Sequence, residues 1–219
     1  MPERILLSVM SPPFFIVGAS RSGTTMLRLM MNAHSRLAVP DEMKYFRHVD
    51  GQYDLEAWQT SLPREDYLAL ARHYLDVQDA VFSEATEALE AALLATEDRT
   101  LRGPYQALLS YWARAQGKAR WGEKTPHNIF YVDVMAEMFP EAQFIHVVRD
   151  PRAVVRSMGA SAYYSDEPVF NALNWRMSVR TGRRFFQEHL RPERRHTVRY
   201  EDLVRNPESV LRSTCAFLG

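Results

Sequence analysis

Cysteine occurs once in this sequence, at Cys215, and lysine only three times, at Lys44, Lys118 and Lys124. Net charge is missing altogether, because 27 lysines and arginines face 27 aspartates and glutamates. A single thiol excludes an intrachain disulfide framework and fits a reducing compartment or one indifferent to redox state. Balanced charge excludes a global field that would draw the chain to nucleic acid or an anionic membrane, so any anion site must be a local cluster of basic residues. Apolar runs of membrane-spanning length are absent. The N-terminal ILLSVM is too short for a signal-peptide core and is followed by PP rather than a small-residue cleavage site. The expectation is a soluble cytoplasmic protein without a membrane anchor. No group of His, Cys and carboxylate residues has metal-ligand spacing, so no metal is expected.

What is present suffices for one domain over residues 1–219: 46% of the chain is hydrophobic, and no repeat, low-complexity tract or linker divides it. After Pro12 and Pro13, Phe14 to Val17 reads as a short buried strand, and Thr24 to Ala33 as a helix with apolar Met26, Leu27, Met30 and Met31. Leu37 to Val39 reads as a second strand, stopped by Pro40. Residues 53–116 carry helical spacing throughout, interrupted by Arg102, Gly103 and Pro104. Gln143 to Val148 is a further buried strand, Arg149 and Asp150 the turn, Pro151 the first residue of a helix that Asp150 would cap. Residues 168–190 read as helix and His196 to Arg199 as a last strand. Strands alternating with helices predict an α/β fold: a P-loop-like central parallel sheet flanked by helices on both faces, with a helical insertion after the second strand.

Two turns carry the chemistry. GASRSGTT, residues 18–25, lies between the first strand and its helix, where backbone N–H groups and a helix N-terminus point at an anion. Gly18 and Gly23 have the separation of a phosphate-binding loop, yet Thr24 stands where the lysine that neutralises the outer phosphates of ATP belongs, and the cation, Arg21, is inside the loop. That exchange suits a single phosphate bearing a transferable group better than a triphosphate with magnesium. In the second unit Arg149 and Ser157 can converge on another anion, with Arg152 and Arg156 nearby; the same residues also suit an ordinary surface helix. Two phosphate sites together suggest a nucleotide phosphorylated at both ends of its ribose.

GASRSGTT with its helix, and FIHVVRDPRAVVRSM later, resemble the two nucleotide signatures of the sulfotransferases that use 3′-phosphoadenosine-5′-phosphosulfate (PAPS). The protein-tyrosine branch and related bacterial sulfotransferases are the most similar. WGEKTPHN resembles the family's middle motif and TVRYEDLVRNPESVLRSTCAFLG its later one. The resemblance implies that Arg21, Ser22, Gly23, Thr24 and Thr25 hold the 5′-phosphosulfate and that Arg149 and Ser157 hold the 3′-phosphate, with Tyr200 near the nucleotide. It also implies that Lys124, with Arg21, contacts the bridging oxygen as the sulfur bond breaks. The family usually continues past the point where this chain ends, CAFLG, with a segment that completes the 3′-phosphate and adenine pocket, so a domain lacking that segment is expected.

Sulfuryl transfer to a hydroxyl requires a base, in-line approach and positive charge for the departing phosphate. Glu42 follows the short second strand, hence lies near the edge that carries Arg21, and its place relative to RSGTT resembles that of the family's catalytic glutamate. His127, three residues beyond Lys124, is the rival base, and Asp41 the neighbour most easily confused with Glu42. Glu123 either orients Lys124 or is a surface acid; Lys44 would approach the acceptor or the sulfate. The acceptor is expected to be a small hydroxyl-bearing molecule, with Tyr53, Tyr105, Tyr163 and Tyr164 suited to an apolar pocket wall. Trp112, Trp121, Trp175, His34 and His146 have burial as their default. A P-loop kinase and a nucleotide-binding protein without catalysis are the alternatives.

Overall fold

A computed structural model describes residues 11–77 and 86–219. The N-terminal ILLSVM and residues 78–85 of the helical stretch lie outside the described residues.

Five parallel strands form the centre, in the order β2-β3-β1-β4-β5. They are β1 (Phe14–Gly18), β2 (Leu37–Ala38), β3 (Arg120–Lys124), β4 (Gln143–Val148) and β5 (Arg195–Arg199). The middle strand β1 is wholly buried along FFIVG, as a strand covered on both faces must be. Its alternating side chains divide the core in two. Phe14 and Ile16 pack with Leu27 and Met31 of α1 (Thr24–Asn32) and with Leu218 at the end of the last helix, Pro207–Leu218. Phe15 and Val17 face the other way, into a larger cluster supplied by the insertion and by the long helix Pro168–Glu188. This is the α/β sheet with helices on both faces that the alternation of strands and helices predicts.

The insertion between β2 and β3 holds α2 (Tyr45–Val49), α3 (Arg64–Val77), α4 (Thr86–Leu94) and α5 (Arg102–Ala115). The predicted continuous helical region is thus broken: residues 53–63 before α3 are largely turns. Arg102, Gly103 and Pro104 are not the interruption but the first turn of α5, where proline's missing N–H is harmless. Tyr105 is completely buried there, so it cannot line an acceptor pocket as expected, and Tyr163 projects freely with 93% of its surface exposed. After β3 come a 3₁₀ turn at Pro126–Phe130, α6 (Val132–Met138) and β4; then α7 (Pro151–Gly159), α8 (Pro168–Glu188), β5, α9 (Tyr200–Arg205) and α10 (Pro207–Leu218).

Strand β3 carries three charged residues in five, a pattern that hides a strand from its sequence. Its backbone nonetheless pairs with both β1 and β2. Phe14 lies opposite Gly122, and a Cβ on Gly122 would lie 2.3 Å from the Phe14 ring. Consequently β3 and β1 sit edge to edge with their carboxyl ends, Lys124 and Gly18, on the same side. From β1 the chain crosses to β2 on one side of the sheet, and from β4 to β5 on the other. The adjacent carboxyl ends of β1 and β4 therefore form the switch point at which such sheets leave a crevice for ligands.

Candidate active site at the carboxyl ends of the strands

The loop after β1 is shaped by backbone constraints. A Cβ on Gly18 would lie 2.4 Å from the carbonyl oxygen of Val147 on β4, and one on Gly23, whose φ is 94°, would lie 2.2 Å from the Tyr200 ring. Arg21 itself adopts the left-handed region, φ 65°, which a non-glycine residue occupies at a cost of order 1 kcal/mol. Among the described residues no side chain caps Gly23 at the start of α1, and the buried Ser22 hydroxyl has no hydrogen-bond partner. A helix N-terminus and an unpartnered buried hydroxyl at one loop fit an anion.

The two predicted anion groups meet. Arg149, in the turn after β4, donates from Nη1 to the carbonyl oxygen of Arg21 at 2.9 Å. Arg21 donates from Nε to the Ser157 hydroxyl on α7 at 3.0 Å. The Arg149 guanidinium lies 4.1 Å from the centroid of the Tyr200 ring, so Tyr200 touches both Gly23 and Arg149. Asp150 caps α7 by accepting from the Arg152 N–H at 2.8 Å and binds the Arg152 guanidinium as well, which holds its own carboxyl down at about 2 and engages the Arg152 charge.

Two residues of this corner were not foreseen. Trp175 of α8 donates its indole N–H to the Arg149 carbonyl at 3.1 Å, and the Glu201 carboxylate accepts from the Asp150 N–H at 2.9 Å. Neither carries a motif of its own; only Glu201's place beside Tyr200 is a signal. A cavity of about 440 Å³ opens here, with Arg149, Arg183, Arg199 and Arg205 on its wall beside Trp175. Another, of about 530 Å³, lies at the opposite, amino ends of the strands among Pro12, Arg120, Gln143 and Leu218, away from these groups.

On the other side of the β1 loop, Lys124 ends β3 with only 1% of its surface exposed. Its ammonium donates to Glu42 Oε1 at 2.6 Å and to the Thr25 hydroxyl at 3.2 Å, and stands 3.8 Å from Asp41. Asp41 is instead turned outward, 3.8 Å from Arg28. Thus Glu42, Lys124 and Thr25 form one chain of contacts leading from the turn after β2 to the start of α1. Lys44 takes the left-handed region with φ 52°, and its side chain is exposed. The His127 ring is exposed and packs edge-on against Phe130 and Tyr131, at 5.0 and 6.0 Å between centroids. Of the remaining lysines, Lys118 closes the end of α1 by donating to the Asn32 carbonyl at 2.5 Å, a favourable place for a cation.

Glu123 is neither a surface acid nor a ligand of Lys124. It is fully buried, on the opposite face of β3, and burial pushes its carboxyl up to about 7, against hydrogen bonds from Thr125 and Met43 and the charge of Lys124 that pull it back.

The model of the sulfotransferase family matches residues 12–219 of this chain. The omega-hydroxy-beta-dihydromenaquinone-9 sulfotransferase Stf3 of Mycobacterium tuberculosis is 33% identical over 111 residues, 44% of this chain and 28% of that protein. Protein-tyrosine sulfotransferase 1 of Danio rerio is 26% identical over 213 residues, 95% of this chain and 53% of that protein. Among solved structures, the sulfotransferase domain of the Synechococcus PCC 7002 olefin synthase superposes with a TM-score of 0.67 at 25% identity, covering 97% of this chain and 75% of that one. The chain spans about a quarter to two thirds of the length of the curated relatives it matches. No described helix is long and apolar enough to cross a membrane.

Proposed function

The chain belongs to the sulfotransferase family, and from that membership we propose that it transfers a sulfuryl group from PAPS to the hydroxyl of a small-molecule acceptor within a single domain. PAPS would supply an activated sulfuryl group. The residues fit such a donor: the uncapped start of α1, the unpartnered Ser22 hydroxyl and the Arg21 guanidinium would hold its 5′ end, and Arg149 and Ser157 its 3′-phosphate. Gly23, Thr24 and Thr25 would contribute backbone and hydroxyl donors, and Tyr200 would fix Arg149 and the loop together.

The observation that carries the reading is the position of Lys124. Its ammonium is shielded from water and joins Glu42 to Thr25 at the first turn of α1. A cation in such a site opposes developing negative charge far more strongly than one in water. Lys124, with Arg21, would therefore stabilise the departing phosphate. Glu42, released from the ammonium and 31% exposed, would accept the acceptor's proton. Its rival His127 has no hydrogen bond to Glu42, Lys124 or the loop among the described residues, which favours Glu42. A kinase would need the outer-phosphate cation that Thr24 replaces.

Glu42→Gln is expected to leave affinity for 3′,5′-diphosphoadenosine nearly intact while lowering turnover of radiolabelled PAPS roughly 100-fold or more. A screen against phenols, alcohols, sugars and tyrosine peptides identifies the acceptor for that assay. Full turnover in Glu42→Gln together with its loss in His127→Ala would overturn the choice of base. Greater thermal stabilisation by magnesium ATP than by 3′,5′-diphosphoadenosine would overturn the choice of donor.

A further inference from the structure

Glu123 has no part in the chemistry above, although it is the immediate neighbour of Lys124 on β3. Successive strand residues face opposite ways. Lys124 reaches the β1 loop, so Glu123 enters the larger core cluster, beneath the turn that follows β2, and is completely buried. Taking a carboxylate out of water costs several kcal/mol unless its oxygens are satisfied. Among the described residues no cation forms an ion pair with it. Three neutral donors converge instead: the Thr125 hydroxyl at 2.5 Å and the Met43 N–H at 3.4 Å on Oε1, and the Asn128 amide at 2.9 Å on Oε2.

The donors belong to the segments that carry the reactive pair. Met43 directly follows Glu42, and its carbonyl accepts the Tyr74 hydroxyl at 2.9 Å. Thr125 directly follows Lys124, and its oxygen also accepts the Lys44 N–H at 3.2 Å. The turn therefore hangs from β3 by the N–H groups of its two residues after Glu42, and Lys44, in the left-handed region with φ 52°, is the residue whose backbone most needs holding.

We propose that Glu123 is a positioning residue: its Oε1 fastens Met43 and Thr125 to one another and so fixes Glu42 against Lys124. This role rests on the reading of Glu42 as the base. Both donors that hold the turn, the Met43 N–H and the Thr125 hydroxyl, end on Oε1. Glu123→Gln can keep an oxygen there, because Asn128, whose Oδ1 is buried without a partner among the described residues, can turn its amide to receive the new N–H₂. Glu123→Leu, of similar size, keeps no acceptor and leaves both donors unpaired, so it should loosen the turn.

The test compares the parent with Glu123→Leu, its conservative counterpart Glu123→Gln, Thr125→Val and Glu42→Gln. Amide hydrogen exchange is read at Met43 and Lys44, affinity with 3′,5′-diphosphoadenosine, and kcat and KM with radiolabelled PAPS and the acceptor from the screen. Glu123→Leu and Thr125→Val should each raise exchange at Met43 and Lys44 about 10-fold or more, with β1 and β4 unchanged, and Glu123→Gln should stay near the parent. The first two should each lower kcat roughly 10- to 100-fold while KM for PAPS and affinity for the diphosphate stay within about twofold, as a displaced base predicts, and Glu123→Gln should restore most of that kcat. Unchanged exchange at Met43 and Lys44 in Glu123→Leu overturns the proposal, as does its unchanged kcat beside an inactive Glu42→Gln. If Glu42→Gln keeps its turnover, the base assignment fails, and the exchange data still decide whether Glu123 holds the turn.

Discussion

Arg149 shows how much of the site a single side chain organises. Its guanidinium donates to the Arg21 carbonyl and lies over Tyr200, while its own carbonyl is held by Trp175. Replacing it by alanine removes a charge from the crevice without touching the buried face of β4. Arg149→Ala is therefore expected to fold with a melting temperature close to the parent's and to bind 3′,5′-diphosphoadenosine roughly 10- to 100-fold more weakly, the range of a lost charged hydrogen bond, by titration calorimetry. The type and order of Arg21, Arg149 and Ser157 were readable because glycines, strand ends and a proline-started helix mark where anions are held. Trp175 was not readable, since a tryptophan at helical spacing looks the same whether it packs or donates.

At the scale of elements, the sequence announces β1 and β4 by their apolar runs and conceals β3. RWGEK offers no apolar run because Arg120, Glu123 and Lys124 are charged, yet all five residues are buried. Each charge meets partners that only the tertiary fold supplies. Arg120 donates to the Leu218 carbonyl and to Gln143 Oε1, both at 2.6 Å, tying the end of α10 to the starts of β3 and β4, and burial lowers its guanidinium only to about 10, so the charge persists. Arg120→Met keeps much of the side chain's bulk and strands the carbonyl it served. A loss of roughly 2–3 kcal/mol in urea denaturation is expected; a loss below about 0.5 kcal/mol would show that the tie is ornamental. The insertion was legible as helix but not in its breaks, because the turns between its helices are set by what the helices pack on.

For the whole molecule, two buried titrating groups work against each other. Glu123 stands at about 7 in the fold against an ordinary 4.5, and His146, pushed down by burial and by Arg183, at about 4 against 6.5. Between pH 4.5 and 7 an unfolded chain has released the Glu123 proton that the fold retains, so stability falls as pH rises. Between pH 6.5 and 4 the unfolded chain takes up a proton on His146 that the fold refuses, so stability falls as pH drops. Over their overlap the two slopes offset each other. Glu123 is surrounded by Tyr74 and Tyr105, whose hydroxyls stay protonated well above this range, and by Lys124 and Glu42. Glu123→Gln removes one slope alone: measured by urea denaturation, its stability relative to the parent should climb by up to about 1.4 kcal/mol per pH unit from pH 4.5 to 7. A constant difference across that range would contradict the assignment.

The stitch between the two crevice loops has a thermodynamic result of its own. Because Arg149 grips the backbone of Arg21, and Arg21 in turn grips Ser157, neither pocket can stiffen alone. A ligand filling one of them lowers the ordering entropy left for its sibling. Adenosine bearing both terminal phosphates should therefore bind more tightly than the separate gains of the 3′- and 5′-monophosphates add up to, and the surplus should vanish in Arg149→Ala.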